Sequence, residues 1–335
     1  MTTPNDGPVR YLVTGSMGCI GAWVVRTLLV DGAQVVALDA SDDDHRLRVA
    51  LGGAPTEHVT RIQGDVTDAG AIERVFEEHG IEAVIHLAAL QVPAVAANPV
   101  LGAQVNVVGT AVILEAAARA QLRHPLAYAS SIAVYDAADA GFQGDGDLGG
   151  HAATLYGVYK RANEGAAAVY WADRGVASIG LRPYVVYGPG RDFGLTSAPT
   201  VAMGAAARGE GYHVGFGGTS RMQYVEDVAR SFVDATRSDF RGAAVVNLGG
   251  HQCHMRDVVA AIETVVPAVA GRITFEDRQL PFPASIESEV RGVIRESPPT
   301  PLVEGVRRTV EAFRAAAASA ATTTNSATSA ITDGA

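Results

Sequence analysis

The segment VRYLVT (9–14) runs without a break into Thr14-Gly15-Ser16-Met17-Gly18-Cys19-Ile20-Gly21, and a helical pattern follows to about Val30. A short apolar run ahead of a glycine-rich turn reads as a buried strand. The three glycines then set three demands: a tight turn at Gly15, a close backbone approach at Gly18, and a helix at Gly21 that packs hard on the sheet it has just left. The unpaired N–H groups of the helix N-terminus face the turn and make a seat for an anion such as a pyrophosphate. A unit of this kind needs a parallel sheet around it, because its strand must be covered on both faces by crossover helices.

The first half of the chain supplies that sheet. QVVALD (34–39), VTRIQGD (59–65), AVIHLAA (83–89) and PLAYASS (125–131) read as further strands, with a long helix over roughly Pro99 to Ala120. A helix from about Leu155 to Asp173 precedes one more buried strand, VASIGLRP (176–183). Strands alternating with helices predict right-handed βαβ units and an α/β fold, a doubly wound parallel sheet of the Rossmann type. From Tyr187 the pattern loosens, with strand-like YHVGFGG, AAVVNLGG and ITFEDRQL among helical stretches. The expected division is a dinucleotide-binding domain over 1–185 and a smaller α/β substrate-binding region over 186–315, part of which returns to the first domain. Residues 136–153, rich in Gly, Asp and Ala, read as a mobile loop, and the low-complexity stretch 316–335 as a disordered tail.

Composition narrows the class. The chain has 335 residues, 48% of them apolar and only 6% aromatic, which suits close helix-on-sheet packing. A net charge of −10 offers no cationic face to nucleic acid or anionic lipid. Cys19 and Cys253 do not make a disulfide framework and fit a reducing, cytoplasmic setting. The polar start MTTPNDGPVR has no secretory apolar core, and no later apolar run is read as a bilayer span. His251, Cys253 and His254 lack a fourth ligand at zinc-site spacing, so they read as ordinary side chains and no metal is expected.

Asp39 ends the second strand, where a carboxylate can accept hydrogen bonds from both hydroxyls of a ribose and repels a 2′-phosphate. Ala40 and Ser41 follow it rather than Arg or Lys, so the pattern selects NAD over NADP. Asp65 and Val66 follow the third strand and read either as an adenine contact or as a plain turn. Tyr156 and Lys160 lie one helical turn apart on a common face, whereas Tyr159, beside Lys160, points elsewhere. A phenol titrating near pH 10 is a poor base at neutrality, and a neighbouring ammonium in a low-dielectric pocket brings it toward the working range. Ser131, at the C-terminal end of the fifth strand, stands where open α/β sheets bind their ligands.

With these residues goes a longer series: GDVTD (64–68), HLAA (86–89), NVVGT (106–110), YASSIAVY (128–135), YGVYK (156–160), LRPYVVYGPG (181–190), YVEDVA (224–229) and NLGG (247–250). In this order and spacing the chain resembles the extended short-chain dehydrogenase/reductase superfamily, in particular its NAD-dependent epimerase/dehydratase family, over roughly residues 9 to 315. The resemblance implies that Tyr156 is the catalytic base, Lys160 its helper and a holder of the nicotinamide ribose, and Ser131 the serine that holds the substrate oxygen. It places Ser16, Met17, Cys19 and Ile20 of the glycine loop, together with Leu87, Ala88 and Ala89, along the cofactor. Asn106 becomes a structural contact behind the site, and Pro183 packs near the nicotinamide amide. It also implies a homodimer, built as a four-helix bundle from the helices near 99–120 and 155–173.

Substrate residues follow less uniformly. Members that act on nucleotide sugars often carry an Asn at the place of Val185, a Lys at the place of Gln91, and an Arg at the place of Ser220, with Arg221 one step off. These departures remove diphosphate contacts, while Arg191 and Arg221 remain as candidates for substrate binding. Ile132 and Ala133, beside the serine, are apolar where the family's dehydratases place acids. The expected activity is therefore reversible oxidation of a secondary alcohol on a sugar, polyol or other small hydroxy/oxo compound. The alternatives are a sugar or nucleotide-sugar epimerase with tightly held NAD, and a non-catalytic NAD-binding regulator.

Overall fold

The computed structural model describes residues 8–52, 58–136, 152–286, 292–295 and 297–332, with side chains as far as 318. The strands are β1 (Arg10–Thr14), β2 (Gln34–Asp39), β3 (Val59–Gln63), β4 (Ala83–His86), β5 (Leu126–Ala129), β6 (Ser178–Arg182), β7 (Val185–Tyr187), β8 (Tyr212–Val214), β9 (Thr219–Tyr224), β10 (Ala243–Asn247), β11 (His251–His254) and β12 (Ile273–Phe275). The helices of the first domain are α1 (Cys19–Val30), α2 (His45–Leu51), α3 (Ala69–His79), α4 (Val92–Ala97), α5 (Pro99–Ala103), α6 (Gly109–Arg119) and α7 (Leu155–Arg174). Then come α8 (Ala198–Ala207), α9 (Val225–Thr236), α10 (Met255–Val265) and α11 (Leu302–Thr332).

Among the described residues, seven strands form one sheet in the order β10-β6-β5-β4-β1-β2-β3, and every pairing in it is parallel. The order reverses direction between β1 and β4, which opens a crevice at their C-terminal ends. The central strands are buried on both faces, as a parallel sheet requires: Leu12, Val13, Val84, Ile85, Leu126 and Ile179 are fully enclosed, whereas the edge strand β3 is largely exposed. Helix α9 and strand β10 come back from the second half to join this sheet, and Arg230 and Arg237 of the α9 segment grip Asp31 at the end of α1. The remaining chain makes the smaller region, where β7, β9 and β11 form one sheet and β8 and β12 another.

Several local expectations are revised. The helix expected over 99–120 is interrupted by a π-helical turn at Gln104–Val108, where Asn106 turns its amide to the backbone of Leu90. This helical stretch, Pro99–Arg119, is long and apolar enough to cross a bilayer by length and composition. Here it packs against α3 and α7 with Ile113, Leu114 and Ala117 enclosed, while Val100, Leu101 and Val108 stay exposed. HQCH (251–254) is itself a strand, β11, in which His251 bonds the Thr300 carbonyl and His254 caps α10. Only Ile273–Phe275 of ITFEDRQL is strand. The backbone of 316–332, expected as an irregular tail, continues α11, in keeping with the high helix propensity of its alanines. The loop expected at 136–153 falls, apart from its ends, outside the described residues.

His86 shows how the crevice is held from below. The Thr110 hydroxyl donates to the Asn106 carbonyl at 2.7 Å, so it accepts from His86 Nε2 at 3.1 Å, and His86 Nδ1 accepts from the Thr14 hydroxyl at 2.7 Å. The neutral ring thus satisfies strand β1, strand β4 and helix α6 together. Burial, with the Lys160 charge nearby, pushes its pKa down to about 3. An unfolded histidine binds its proton near pH 6.5, so between that pH and about 3 the unfolded state holds more protons than the native state. The stability that the neutral ring provides is complete above about pH 6.5 and is lost on acidification, by about 1.4 kcal/mol per pH unit. In urea unfolding of wild type and His86→Gln at about pH 7.5 and about pH 5, wild type should lose about 2 kcal/mol more than the variant. Equal losses in the two proteins would show that His86 is not the acid-sensitive group.

Candidate active site

A cavity of about 500 Å³ lies in the crevice and reaches from Asp39 at the end of β2 to Tyr184, just before β7, and to Phe282. Its floor is the glycine loop. Gly15 adopts φ +68°, and a Cβ there would stand 2.6 Å from the Ala88 nitrogen; a Cβ on Gly21 would stand 2.1 Å from the Gly15 carbonyl oxygen. Both contacts meet backbone, so the loop closes only with glycine at these places. Helix α1 starts at Gly18 without a side-chain cap, leaving first-turn N–H groups turned to the cavity. Ser16 Oγ is buried with no hydrogen-bond partner among the described residues.

Asp39 is fixed at the edge of this floor, its two carboxylate oxygens accepting from the Met17 nitrogen at 2.9 Å and the Ser41 nitrogen at 3.0 Å. Met17, Gly18, Cys19, Ile20, Leu87, Ala88, Ala89, Val66 and Pro183 line the cavity. Asp65 also borders it, but its carboxylate accepts from Thr67 N in a turn. Asn106 is outside the cavity lining, its amide bonded to the Leu90 backbone rather than turned toward a cofactor. An uncapped helix start, a turn that excludes Cβ atoms and a strand-end carboxylate together fit the pyrophosphate and ribose of a dinucleotide.

Deeper in, β5 ends at Ala129 and runs straight on to Ser130 and Ser131, and α7 brings Tyr156 and Lys160 across from them. The Ser131 hydroxyl accepts from the Ala133 nitrogen at 3.1 Å, and Ser131 and Tyr156 line the same stretch of the cavity. Burial raises the phenol's pKa; the Ser131 contact and the charge of Arg191 oppose that rise. Lys160 is enclosed, donates to the Ala129 carbonyl at 2.7 Å and lies over the Tyr156 ring, 5.6 Å from its centroid. Burial lowers its pKa to about 8 against the opposing pull of Glu164. The expected acidification of the phenol by a lysine at its oxygen is thus divided here: Lys160 holds the strand end and the ring, and Ser131 meets the phenol.

Behind this trio sits a buried network that motif reading passed over. Arg182 of β6 makes a two-pronged ion pair with Glu164 of α7 at 2.8 and 2.7 Å, Ser130 donates to the same carboxylate, and Arg182 also donates to the Tyr135 hydroxyl. Glu164 lies one turn beyond Lys160, so its helical spacing from YGVYK was the available signal.

The substrate candidates divide. Gln91, Ile132, Ala133 and Arg191 line the cavity. Val185 does not: it is enclosed in β7, with its neighbours Tyr184 and Val186 facing the cavity instead, as alternation along a strand dictates. Arg221 is also outside the cavity lining, because its guanidinium donates to the Ile286 carbonyl. Arg46, Tyr184, Phe193, Leu195, Thr196 and Phe282 were not anticipated; they arrive from α2 and the smaller region, which no local motif links to the glycine loop.

Comparison with known proteins agrees with this geometry. The family model for the NAD dependent epimerase/dehydratase family matches residues 11–249. A UDP-glucose 4-epimerase of Mycolicibacterium smegmatis is 29% identical over 321 residues, covering 91% of this chain and 99% of that protein. UDP-glucuronate 4-epimerase 1 of Arabidopsis thaliana is 30% identical over 189 residues, which is 44% of its length. Among solved structures, the Thermus thermophilus UDP-glucose 4-epimerase in complex with NAD superposes with a TM-score of 0.70 at 27% identity, covering 91% of this chain and 99% of that one. A partial-consensus L-threonine 3-dehydrogenase has the same fold, with a TM-score of 0.79 at 23% identity over 91% of this chain and 99% of its own.

Gly157 is what lets α7 come close enough. A Cβ on it would lie 1.9 Å from the Ala133 carbonyl oxygen, in the turn that carries Ser131. Gly157→Ala should therefore push Tyr156 away from Ser131 and lower kcat by on the order of 100-fold, with a lower Tm. Unchanged kcat in the purified variant would show that the approach of α7 to this turn does not set the catalytic geometry.

Proposed function

The chain belongs to the NAD dependent epimerase/dehydratase family of enzymes, and on that premise we propose that it is an NAD-dependent oxidoreductase that reversibly oxidises a secondary alcohol on a sugar, polyol or other small hydroxy/oxo compound. The observation that carries the reading is that Ser131, Tyr156 and Lys160 meet on the wall of a cavity that continues to Asp39, with Lys160 held against the Tyr156 ring. The glycine loop, the α1 N-terminus and Asp39 would hold the cofactor. NAD, when bound there, would supply a two-electron acceptor for the hydride of the carbinol carbon.

The chain's own side chains handle the proton and the orientation. Ser131 and Tyr156 both reach the substrate hydroxyl. The phenolate form of Tyr156, whose own proton has first gone to solvent, takes the hydroxyl proton as the carbonyl forms, so that oxidation speeds up with rising pH. Reduction runs the same transfer backward, with Tyr156 as the acid. Lys160 fixes the end of β5 and the face of the tyrosine ring, and Pro183, Ile132 and Ala133 keep the surroundings apolar. The names of the relatives favour a second reading, a 4-epimerase in which the hydride returns to the opposite face of the sugar.

NADH absorbance separates the two. An oxidoreductase accumulates NADH from added NAD in step with substrate, whereas an epimerase interconverts sugar nucleotides with no net reduction. Tyr156→Phe should lower the rate by about a thousandfold or more while dinucleotide still binds; a variant as fast as wild type would remove Tyr156 from the role of base.

The same reading includes a homodimer. Val100, Leu101 and Val108 on the α5–α6 stretch and Leu155, Val158 and Val169 on α7 are exposed apolar side chains on two neighbouring helices, as a four-helix interface requires. Val169→Glu should convert a sedimenting dimer to monomer. If wild type sediments as a monomer at micromolar concentration, these helices pack for another purpose.

A further inference from the structure

We propose that Arg191 anchors a carboxylate of the substrate, so that the compound oxidised is a short hydroxy acid rather than a neutral polyol or a nucleotide diphosphate sugar. The inference rests on the oxidoreductase reading above and specifies its substrate class.

Arg191 and Asp192 are adjacent in the loop that follows β7, and they turn to different partners. Asp192 accepts from Arg46 at 2.8 and 2.9 Å and contacts His45 Nε2 at 2.8 Å, which neutralises Arg46 beside the cofactor groove. Arg191 is left with neutral partners. It donates to Gln91 Oε1 at 3.4 Å and to Thr196 Oγ1 at 3.1 Å, and its Nε is buried with no hydrogen-bond partner. Among the described residues no carboxylate pairs with it. A half-buried guanidinium without a counter-ion is costly to keep, and it stays in place because the scaffold holds it. Gly194 backs it: a Cβ there would stand 2.0 Å from Gln91 Oε1 and 3.2 Å from Arg191 Nη2. A planar fork fixed in this way matches a carboxylate.

Two further observations locate the anion. Arg191 lines the same cavity as Ser131, Tyr156 and Lys160, and its charge is among those felt by the Tyr156 phenol. The carboxylate would thus sit close to the reacting carbon. The other cations lining the cavity, Arg46 and Lys160, are committed to Asp192 and to the Ala129 carbonyl, and Arg221 donates to the Ile286 carbonyl outside it. Around Arg191 the far wall is apolar, with Val186, Phe193, Leu195 and Phe282. One unpaired cation in an apolar wall suits a single carboxylate better than a diphosphate. The cofactor's pyrophosphate offers similar oxyanion chemistry, but the uncapped N-terminus of α1 already serves it.

The test uses the purified full chain with NAD and three sets of probes: short 2- and 3-hydroxy carboxylates, the corresponding polyols, and UDP-hexoses. NADH formation is followed for each, and NAD affinity is measured separately by fluorescence titration. The carboxylates should reduce NAD. Arg191→Gln should raise their KM by on the order of 100-fold with a smaller change in kcat, leave NAD affinity within about twofold, and be partly rescued in Arg191→Lys, which keeps the charge and loses the fork. Reduction of NAD by polyols but not by carboxylates overturns the carboxylate assignment and leaves the oxidoreductase reading intact. An Arg191→Gln protein with weakened NAD affinity and unchanged substrate KM overturns it in favour of the pyrophosphate. Interconversion of UDP-hexoses with no NAD reduction by any probe overturns the underlying reading together with the assignment.

Discussion

Glu164 and Arg182 meet where neither charge could remain alone. Both are enclosed, they share two hydrogen bonds, and the pair joins helix α7 to strand β6 directly behind the reacting groups. Removing one partner of such a pair costs on the order of 3–5 kcal/mol, because the other is stranded. The consequence here is positional. Ser130 donates to Glu164 and Tyr135 accepts from Arg182, so the strand end before Ser131 and the turn after it are tied to the helix that carries Tyr156 and Lys160. Ser131 and Tyr156 come from segments about 25 residues apart, and this polar knot keeps them in register.

A second constraint is closeness of backbones. Gly15 against Ala88, Gly21 against the Gly15 carbonyl and Gly157 against the Ala133 carbonyl are three places where a methyl group has no room. The first two shape the floor that would receive a dinucleotide, and the third lets the tyrosine helix settle against the serine turn. The loop after β7 closes the opposite side. Trp23 Nε1 donates to the Pro189 carbonyl at 2.8 Å, Asp192 is gripped by Arg46 and His45, and Arg191 reaches Gln91. One short segment thereby connects α1, α2 and the end of β4, and it joins the cofactor side of the crevice to the substrate side.

Much of this was legible in the chain itself. The glycine loop, Asp39 and the Tyr156–Lys160 spacing depend on local geometry, and local geometry is what periodicity and turn chemistry encode. Ser131 was legible from its place at a strand end. Val185 and Arg221 were not: a side chain's facing depends on strand register in the smaller region, and a shift of one residue exchanges the cavity face for the core. The π-turn at Asn106 was equally hidden, since it arises from a hydrogen-bonded pair with the distant Leu90 backbone. Glu164 was passed over because its partner Arg182 lies in another element, β6.

The sequence by itself determined the parallel α/β sheet, the glycine turn between its first strand and helix, and the one-turn spacing of Tyr156 and Lys160, because each rests on residues a few positions apart. Only the tertiary structure decided which cations remain unpaired in the cavity, how the phenol's neighbours are shared between Ser131, Lys160 and Arg191, and which side chains of the second half reach the crevice. Those outcomes come from charges and surfaces meeting across a hundred residues of chain or more, as Arg46 meets Asp192 and Gln91 meets Arg191, and no local pattern records such meetings.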